Sequence, residues 1–314
     1  MATGKSSAWP ALPYAAWRDT CSTLQLWTQI VGKIRLQQTP WLNHSWHVPL
    51  YVTSKGLTTS PIPYGPRSFE MQFDFDAHVL VVEVSDGGRG QVPLRPQTVA
   101  DFHAALMQQL GELDIPVTIN ELPCEIAGAI AFTSDREHAA YDAEAVHRFW
   151  LALIQCDRVM KQFRTGFLGK VSPVHFFWGS FDLAVTRFSG RTAPPFSGKV
   201  PGVATAVMRE AYSHEVSSAG FWPGGNGIDY AAFYSYAYPV PADFHSRAVR
   251  PAAAFFSDAL GEFLLPYEAV RTAADPDVLL MEFLQSTYEA AAESAHWDRA
   301  SLERSTGIAG FCPS

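Results

Sequence analysis

The chain has 314 residues, a formal net charge of −8 from 23 Lys and Arg against 31 Asp and Glu, and 47% hydrophobic content. That is ample for an independent core, and an acidic balance without any Lys/Arg cluster speaks against nucleic acid or an anionic membrane as the main partner. Only 17% of residues are charged while 13% are aromatic, with 9 Trp and 21 Phe, a surplus that must line a core, a pocket or an interface.

The amino-terminal "MATGKSSAWPALPY" carries Lys5 with no apolar run behind it, so it does not read as a signal peptide, and no stretch approaches the ~18 apolar residues of a membrane span. From Tyr14 to Leu36 the apolar positions Leu24, Trp27, Ile30, Val31 and Ile34 recur at helical spacing, predicting a helix that ends near Gly32 or shortly after. "HVPLYVTSKGLTT" follows as a strand. "SFEMQFDF" sets Phe69, Met71, Phe73 and Phe75 against Glu70, Gln72 and Asp74, the period of a half-buried strand, and "HVLVVEVSDGGRGQVPL" reads as a hairpin turning at Asp86 to Gly88. In "TVADFHAALMQQLGEL", Val99, Phe102, Leu106 and Leu110 share one helical face behind a Thr98 cap.

The order then repeats. A helix from about Ala145 to Phe167, with Asp142 as N-cap, carries the stripe Phe149, Leu153, Cys156, Met160, Phe163 and Phe167. Four strand-like runs come next, "VHFFWGSFDLAVTRF", "EAYSHEVSSAGFW", "AAFYSYAYP" and "GEFLLPYEAV", and a helix from Asp275 to about Ser294 closes the set. "LYVTSKGLTTSP" at 50–61 lies without a gap over "LAVTRFSGRTAP" at 183–194, matching Leu50 with Leu183, Val52 with Val185, Thr53 with Thr186, Thr59 with Thr192 and Pro61 with Pro194. "GKI" at Gly32 also echoes "GKV" at Gly169. The expected fold is therefore α+β, a single domain over 1–300. It consists of two α-β-β-β-β-α pseudo-repeats, at about 14–122 and 145–295, whose antiparallel strands form a large curved sheet or barrel-like core backed by four helices. Residues 301–314 are expected to be a flexible tail. The Pro/Gly-rich loops "GRTAPPFSGKVPG" and "PGGNGID" occur only in the second half and are candidate flaps over a site.

In the register of the repeat, the histidines of "NHSWH" are not duplicated. That asymmetry favours one special site, although in a regular strand His44 and His47 would point to opposite faces and converge only if this stretch is a loop or bulge. His44, His47, His175, His214, Asp182 and Glu215 supply the types needed for a His general base oriented by a carboxylate, or for a divalent metal held by His175, His214 and Glu215. No H-E-x-x-H, facial-triad or C-x-x-C spacing fixes their geometry, and each His also fits a hydrogen-bonded position at a sheet edge. Trp41, Trp46, Phe177, Trp178, Phe221 and Trp222 crowd the same histidines and would wall an apolar ligand pocket or pack where the sheets meet. Arg187 and Arg191 are placed to hold a ligand carboxylate.

Several devices are set aside. "TGKS" at Thr3 lacks the strand and upstream glycine of a phosphate loop, "SDGGRG" lacks strand-turn-helix context, and there is no G-x-S-x-G elbow, so no nucleotide cofactor is expected. Cys21, Cys124, Cys156 and Cys312 are scattered and read as reduced thiols of a cytoplasmic protein. The partner expected is a small molecule, neither nucleic acid nor membrane.

The segments "LWTQIVGKIRL", "TPWLNHSWHVPLYVTSKGLTTSPIPYG", "SPVHFFWGSFDLAVTRFSGR" and "EAYSHEVSSAGFWPGG" together resemble a bacterial family catalogued as domain of unknown function 5996. The resemblance runs from about Trp9 to near Ser294. It implies a complete single-unit member without an appended domain, cytoplasmic and of actinobacterial or proteobacterial type, and brings no activity, cofactor or catalytic residue with it. From the residues, the function expected is a small-molecule enzyme with one His/carboxylate site in an aromatic pocket, with or without a metal. Non-catalytic binding of a hydrophobic or aromatic molecule, and a homo-oligomeric interaction role, stand as alternatives.

Overall fold

The computed structural model describes residues 8–225 and 227–310. Lys5, the "TGKS" stretch, Asn226 within the second candidate flap and Cys312 lie outside the described residues.

The first half opens with helix α1 (Tyr14–Gln38), followed by β1 (Tyr51–Val52), β2 (Gly56–Thr58), β3 (Ile62–Tyr64), β4 (Arg67–Asp74), β5 (Val79–Val84), β6 (Arg89–Pro93) and α2 (Val99–Glu112). The second half runs α3 (Ala143–Arg164), β7 (His175–Phe177), β8 (Asp182–Thr192), α4 (Thr205–Ala211), β9 (His214–Trp222), β10 (Ala232–Tyr238), β11 (Phe255–Ser257), β12 (Glu262–Pro266), α5 (Tyr267–Arg271), α6 (Pro276–Ser294) and α7 (Arg299–Leu302). The N-caps work as their chemistry dictates: Thr98 accepts from Asp101 N, Asp142 from Ala145 N and Asp275 from Val278 N, each satisfying an amide that the first turn leaves open. Helix α1 does not stop at Gly32 but continues to Gln38, because the missing side chain there serves packing. A Cβ on Gly32 would stand 2.2 Å from the Trp178 indole nitrogen.

Each half contributes six strands among the described residues, not four. "HVPLYVTSKGLTTSPIP" breaks into three short strands around its turns, and Phe255–Ser257 adds an edge strand to the second sheet. Antiparallel pairing gives the orders β1-β2-β4-β5-β6, with β3 also on β4, and β11-β12-β10-β9-β8-β7. The two sheets meet at one bridge, where Leu50 and Phe176 exchange backbone hydrogen bonds of 2.9 Å. They are not closed into a barrel: the other edges, β6 and β11, find no partner strand among the described residues. Seven helices are present among the described residues where four were expected; α4, α5 and α7 are the short additions.

The period-2 pattern of β4 is realised. Phe69, Met71 and Phe73 are buried at 1%, 0% and 0% exposure, each contributing about 1.5–3 kcal/mol of transfer free energy. In the second sheet the same alternation divides two jobs. Leu183, Val185 and Arg187 of β8 share a face with Phe221 and Phe233, packed against α3 and α6. Asp182, Ala184 and Thr186 share the other face with Gly220, Ser218, Tyr234 and Tyr236, and no long helix covers it. Residues 299–307 dock on the body: Glu303 bridges Phe167, and Gly307 N donates to Thr165 Oγ1 at 2.8 Å.

Candidate functional site

A cavity of about 480 Å³ lies on the face of the second sheet that carries Asp182 and Tyr234. Its floor comes from β7–β10. The sides come from α1, the 120–125 segment, the 41–48 loop and the 200–212 segment.

The floor is polar where it counts. Gly220 leaves a gap between β8 and β10: a Cβ there would stand 2.3 Å from the Tyr234 hydroxyl and 2.4 Å from Leu183 O. Tyr234 fills that gap and donates its hydroxyl to Asp182 Oδ2, while Ser180 donates to Oδ1. Tyr212 donates to Tyr236 at 3.1 Å, and Thr186 meets Ser218 at 2.8 Å. Asp182 is 4% exposed, and burial pushes its carboxyl up to about 6 against the lowering effect of those two donors. Burial and then the negative charge of Asp182 push Glu125 up to about 7, and Glu262 on β12 is raised to about 7 by the same two causes.

Glu125 is placed by a clasp. Gln29 of α1 accepts from Cys124 N and donates to Cys124 O, both at 2.9 Å, pinning the 123–126 segment to the helix. Gly179 has no side chain where the Glu125 carboxylate lies; a Cβ there would fall 2.0 Å from Oε1. Glu125 and Ser180 also border a second cavity of about 410 Å³ beside Asp135, His138 and Gly224, so their carboxyl and hydroxyl form part of the partition between two chambers.

His175 faces the same cavity from β7. Its register partner is Ala184, which makes Asp182 its diagonal neighbour on that face, about 7–8 Å away. It is 1% exposed and neither ring nitrogen has a partner. Burial, helped by the charges of Arg35 and Arg164, lowers it to about 3, so the ring is a neutral imidazole at any ordinary pH.

"NHSWH" forms a 3-10 turn, not a strand. His44 takes a left-handed φ of 57° and lines the cavity, with Nδ1 3.1 Å from Ala211 O on α4. Trp41 Nε1 donates to Glu210 Oε1 at 2.8 Å, a second tie between this loop and α4 across the mouth. Trp46 packs its edge on His175 with ring centres 5.7 Å apart. His47 turns away, its Nδ1 on the backbone of Leu42 and its ring against Trp41. The turn thus separates His44 from His47 in place of bringing them together.

The structure gathers Trp41, His44, Trp46, His175, Phe177, Trp178 and Asp182 around one cavity. The other sequence candidates sit elsewhere. His214 has its ring 6.0 Å from His44 and its Nδ1 on Ser213. Glu215 pairs with Arg191 at 2.7 Å and accepts from Ser189 at the rim of the sheet. Arg187 and Phe221 fall on the opposite face by strand parity: Arg187 lies 3.5 Å over the Phe163 ring and 4.3 Å over Tyr288, and Phe221 packs on Phe233 and Tyr267. Trp222 stacks on Tyr234 without reaching the cavity. Among the described residues no three His, Cys, Asp or Glu side chains gather as metal ligands, and His175, His214 and Glu215 have no shared contact.

The sequence matches one family over nearly its full length. The chain belongs to DUF5996, a family of unknown function, by a match over residues 9–304. No curated protein and no solved structure matches it. What a DUF5996 domain does must therefore be argued from the cavity. Two of its polar residues, Glu125 and Lys33, carried no signal in the sequence: one lies in an aperiodic loop, the other on a helix flank that reads as ordinary surface. Cys21, Cys124 and Cys156 are free and buried. No helix among the described residues is long and apolar enough to cross a membrane.

Proposed function

We propose that the protein is an enzyme that transforms a small, mostly apolar molecule by general acid-base catalysis in this cavity. The observation that supports it is an inverted order of proton affinity: a carboxyl raised to about 7 at Glu125 and an imidazole lowered to about 3 at His175 line one cavity. Groups whose environments push their affinities apart are suited to opposite roles. Near pH 6.5 Glu125 is the proton donor and His175 the acceptor. Asp182, held by Ser180 and Tyr234, is the positioning residue whose charge keeps the proton on Glu125. Aromatic walls from Trp46, Phe177 and Trp178 would hold the substrate and exclude water.

Six antiparallel strands following a long helix in each half, with α4 interrupting the second set, support reading the two halves as copies of one unit, both of which contribute to the cavity. Three buried free thiols fit a reducing cytoplasm.

The test needs no prior substrate. Purified protein is incubated with a bacterial small-molecule extract, and mass spectrometry follows which component is consumed. The expected result is one conversion lost in Glu125→Gln and His175→Gln, with melting temperatures retained. Equal conversion by both variants would remove the assignment, and depletion of a compound without any product would mark a binding protein instead.

A further inference from the structure

Helix α1 lines one side of the cavity with Lys33 and Leu36, which fall at helical spacing with Gln25, Gln29 and Gly32. Gln25 donates to Gly179 O at 2.8 Å, Gln29 clasps Cys124, and Gly32 admits the Trp178 ring, so three successive contacts fix this face against the two segments that carry Glu125 and Asp182. Lys33 follows Gln29 by one turn and lines the cavity.

Among the described lysines Lys33 is the buried one. Lys55 and Lys161 are exposed and pair with Asp74 and Asp157, and Lys170, exposed as well, lies 5.0 Å over the Trp46 ring. Lys33 is 8% exposed, and its Nζ pairs with no carboxylate among the described residues; the recorded contact is with the Phe132 ring, 6.0 Å away. Burial lowers its proton affinity, opposed by Cys124. An ammonium kept only to anchor an anion would share the cavity with the Asp182 carboxylate, which repels a ligand carboxylate. An amine whose proton affinity burial has lowered, lining one cavity with the Glu125 carboxyl, has a different chemistry available.

We propose that Lys33 is a nucleophile that forms an imine with an aldehyde or ketone substrate, which names the substrate class of the cavity on the acid-base reading given above. The Nζ lone pair attacks the carbonyl carbon, a C–N bond forms, and the C=O π pair moves to oxygen. That oxygen takes a proton from Glu125 and the nitrogen gives one back to the same carboxylate, leaving a carbinolamine. A second proton, returned through the same carboxyl, lets the hydroxyl leave as water as the nitrogen pair closes the C=N bond. The sum is amine, carbonyl and one proton going to iminium and water, with no change of oxidation level. The carboxylate left on Glu125, a stronger base than His175, can then accept a proton from the carbon beside the iminium.

The experiment uses 4-phenyl-2-butanone with the wild-type chain near pH 6.5. Sodium cyanoborohydride reduces any imine to a stable secondary amine, which peptide mass spectrometry locates. Tryptophan fluorescence without reductant reports occupancy, because Trp41, Trp46 and Trp178 line the cavity. The expected result is an adduct on Lys33 formed at least ~10-fold faster than on exposed Lys199, because the cavity holds the bound ketone within reach of its amine, and no adduct at this position in Lys33→Arg or Lys33→Met. Quenching with Lys33 labelled no faster than Lys199 would overturn the imine and leave the cavity as a binding site. Neither quenching nor a Lys33 adduct would overturn both.

Discussion

Replacing Asp182 by Asn should change how stability depends on pH. The carboxyl is 4% exposed and raised from 3.8 to about 6, roughly two pH units, which at 1.36 kcal/mol per unit is ~3 kcal/mol. A folded-state affinity above the unfolded one means the native state holds the proton more tightly. Its stabilising contribution is complete below pH 3.8 and is lost as pH rises through about 6. Wild type should therefore fall relative to Asp182→Asn by about 3 kcal/mol between pH 4 and pH 8, whatever the offset between them at pH 4. The neutral amide also removes the charge that raises Glu125, which acts in the same direction. Urea denaturation at several pH values, with the slope held common, measures the difference. A gap that stays constant within about 0.5 kcal/mol across that range would refute the argument that Asp182 is desolvated and lacks a cation.

Turnover should decline as pH rises through about 7, where Glu125 gives up its proton; Glu125→Gln should lower the rate by ~10²–10⁴ and flatten that limb of the profile. Gly220→Ala drives a methyl group into the Tyr234 hydroxyl and Leu183 O, so a loss of about 1–3 kcal/mol in chemical denaturation is expected together with reduced turnover. Glu210→Ala cuts the Trp41 tie across the mouth; stability should stay within about 1 kcal/mol while stopped-flow release of a cavity ligand speeds up. Arg187→Met should shift the melting temperature without altering affinity for such a ligand, because the guanidinium is held between α3 and α6 on the far side of the sheet.

Local chemistry was the legible part of this chain. The alternation Phe69, Met71, Phe73 and the caps Thr98, Asp142 and Asp275 each depend on residues within a few positions, and the structure repeats them. Strand parity was present too, but unused: Asp182 with Ala184 and Thr186, against Leu183 with Val185 and Arg187, already separates a cavity face from a packed one once β8 is known to be regular. What could not be read was long-range. Glu125 reaches the cavity because Gln29 binds the backbone of its neighbour Cys124, 95 positions from that glutamine, and Asp182 is defined by Tyr234, 52 positions on, passing over a glycine. The turn at "NHSWH" depends on a left-handed His44, a conformation that a β-rich reading of its neighbours does not suggest.

The central claim is that a carboxyl in the cavity binds its proton more tightly than the imidazole it shares the space with. Nuclear magnetic resonance titration of ¹³C-labelled carboxyls and ¹⁵N-labelled imidazoles, assigned with Glu125→Gln and His175→Gln, measures both midpoints in one protein. The structure predicts Glu125 near 7 and His175 near 3. Ordinary midpoints, about 4.3 for the carboxyl and about 6.5 for the imidazole, would contradict it.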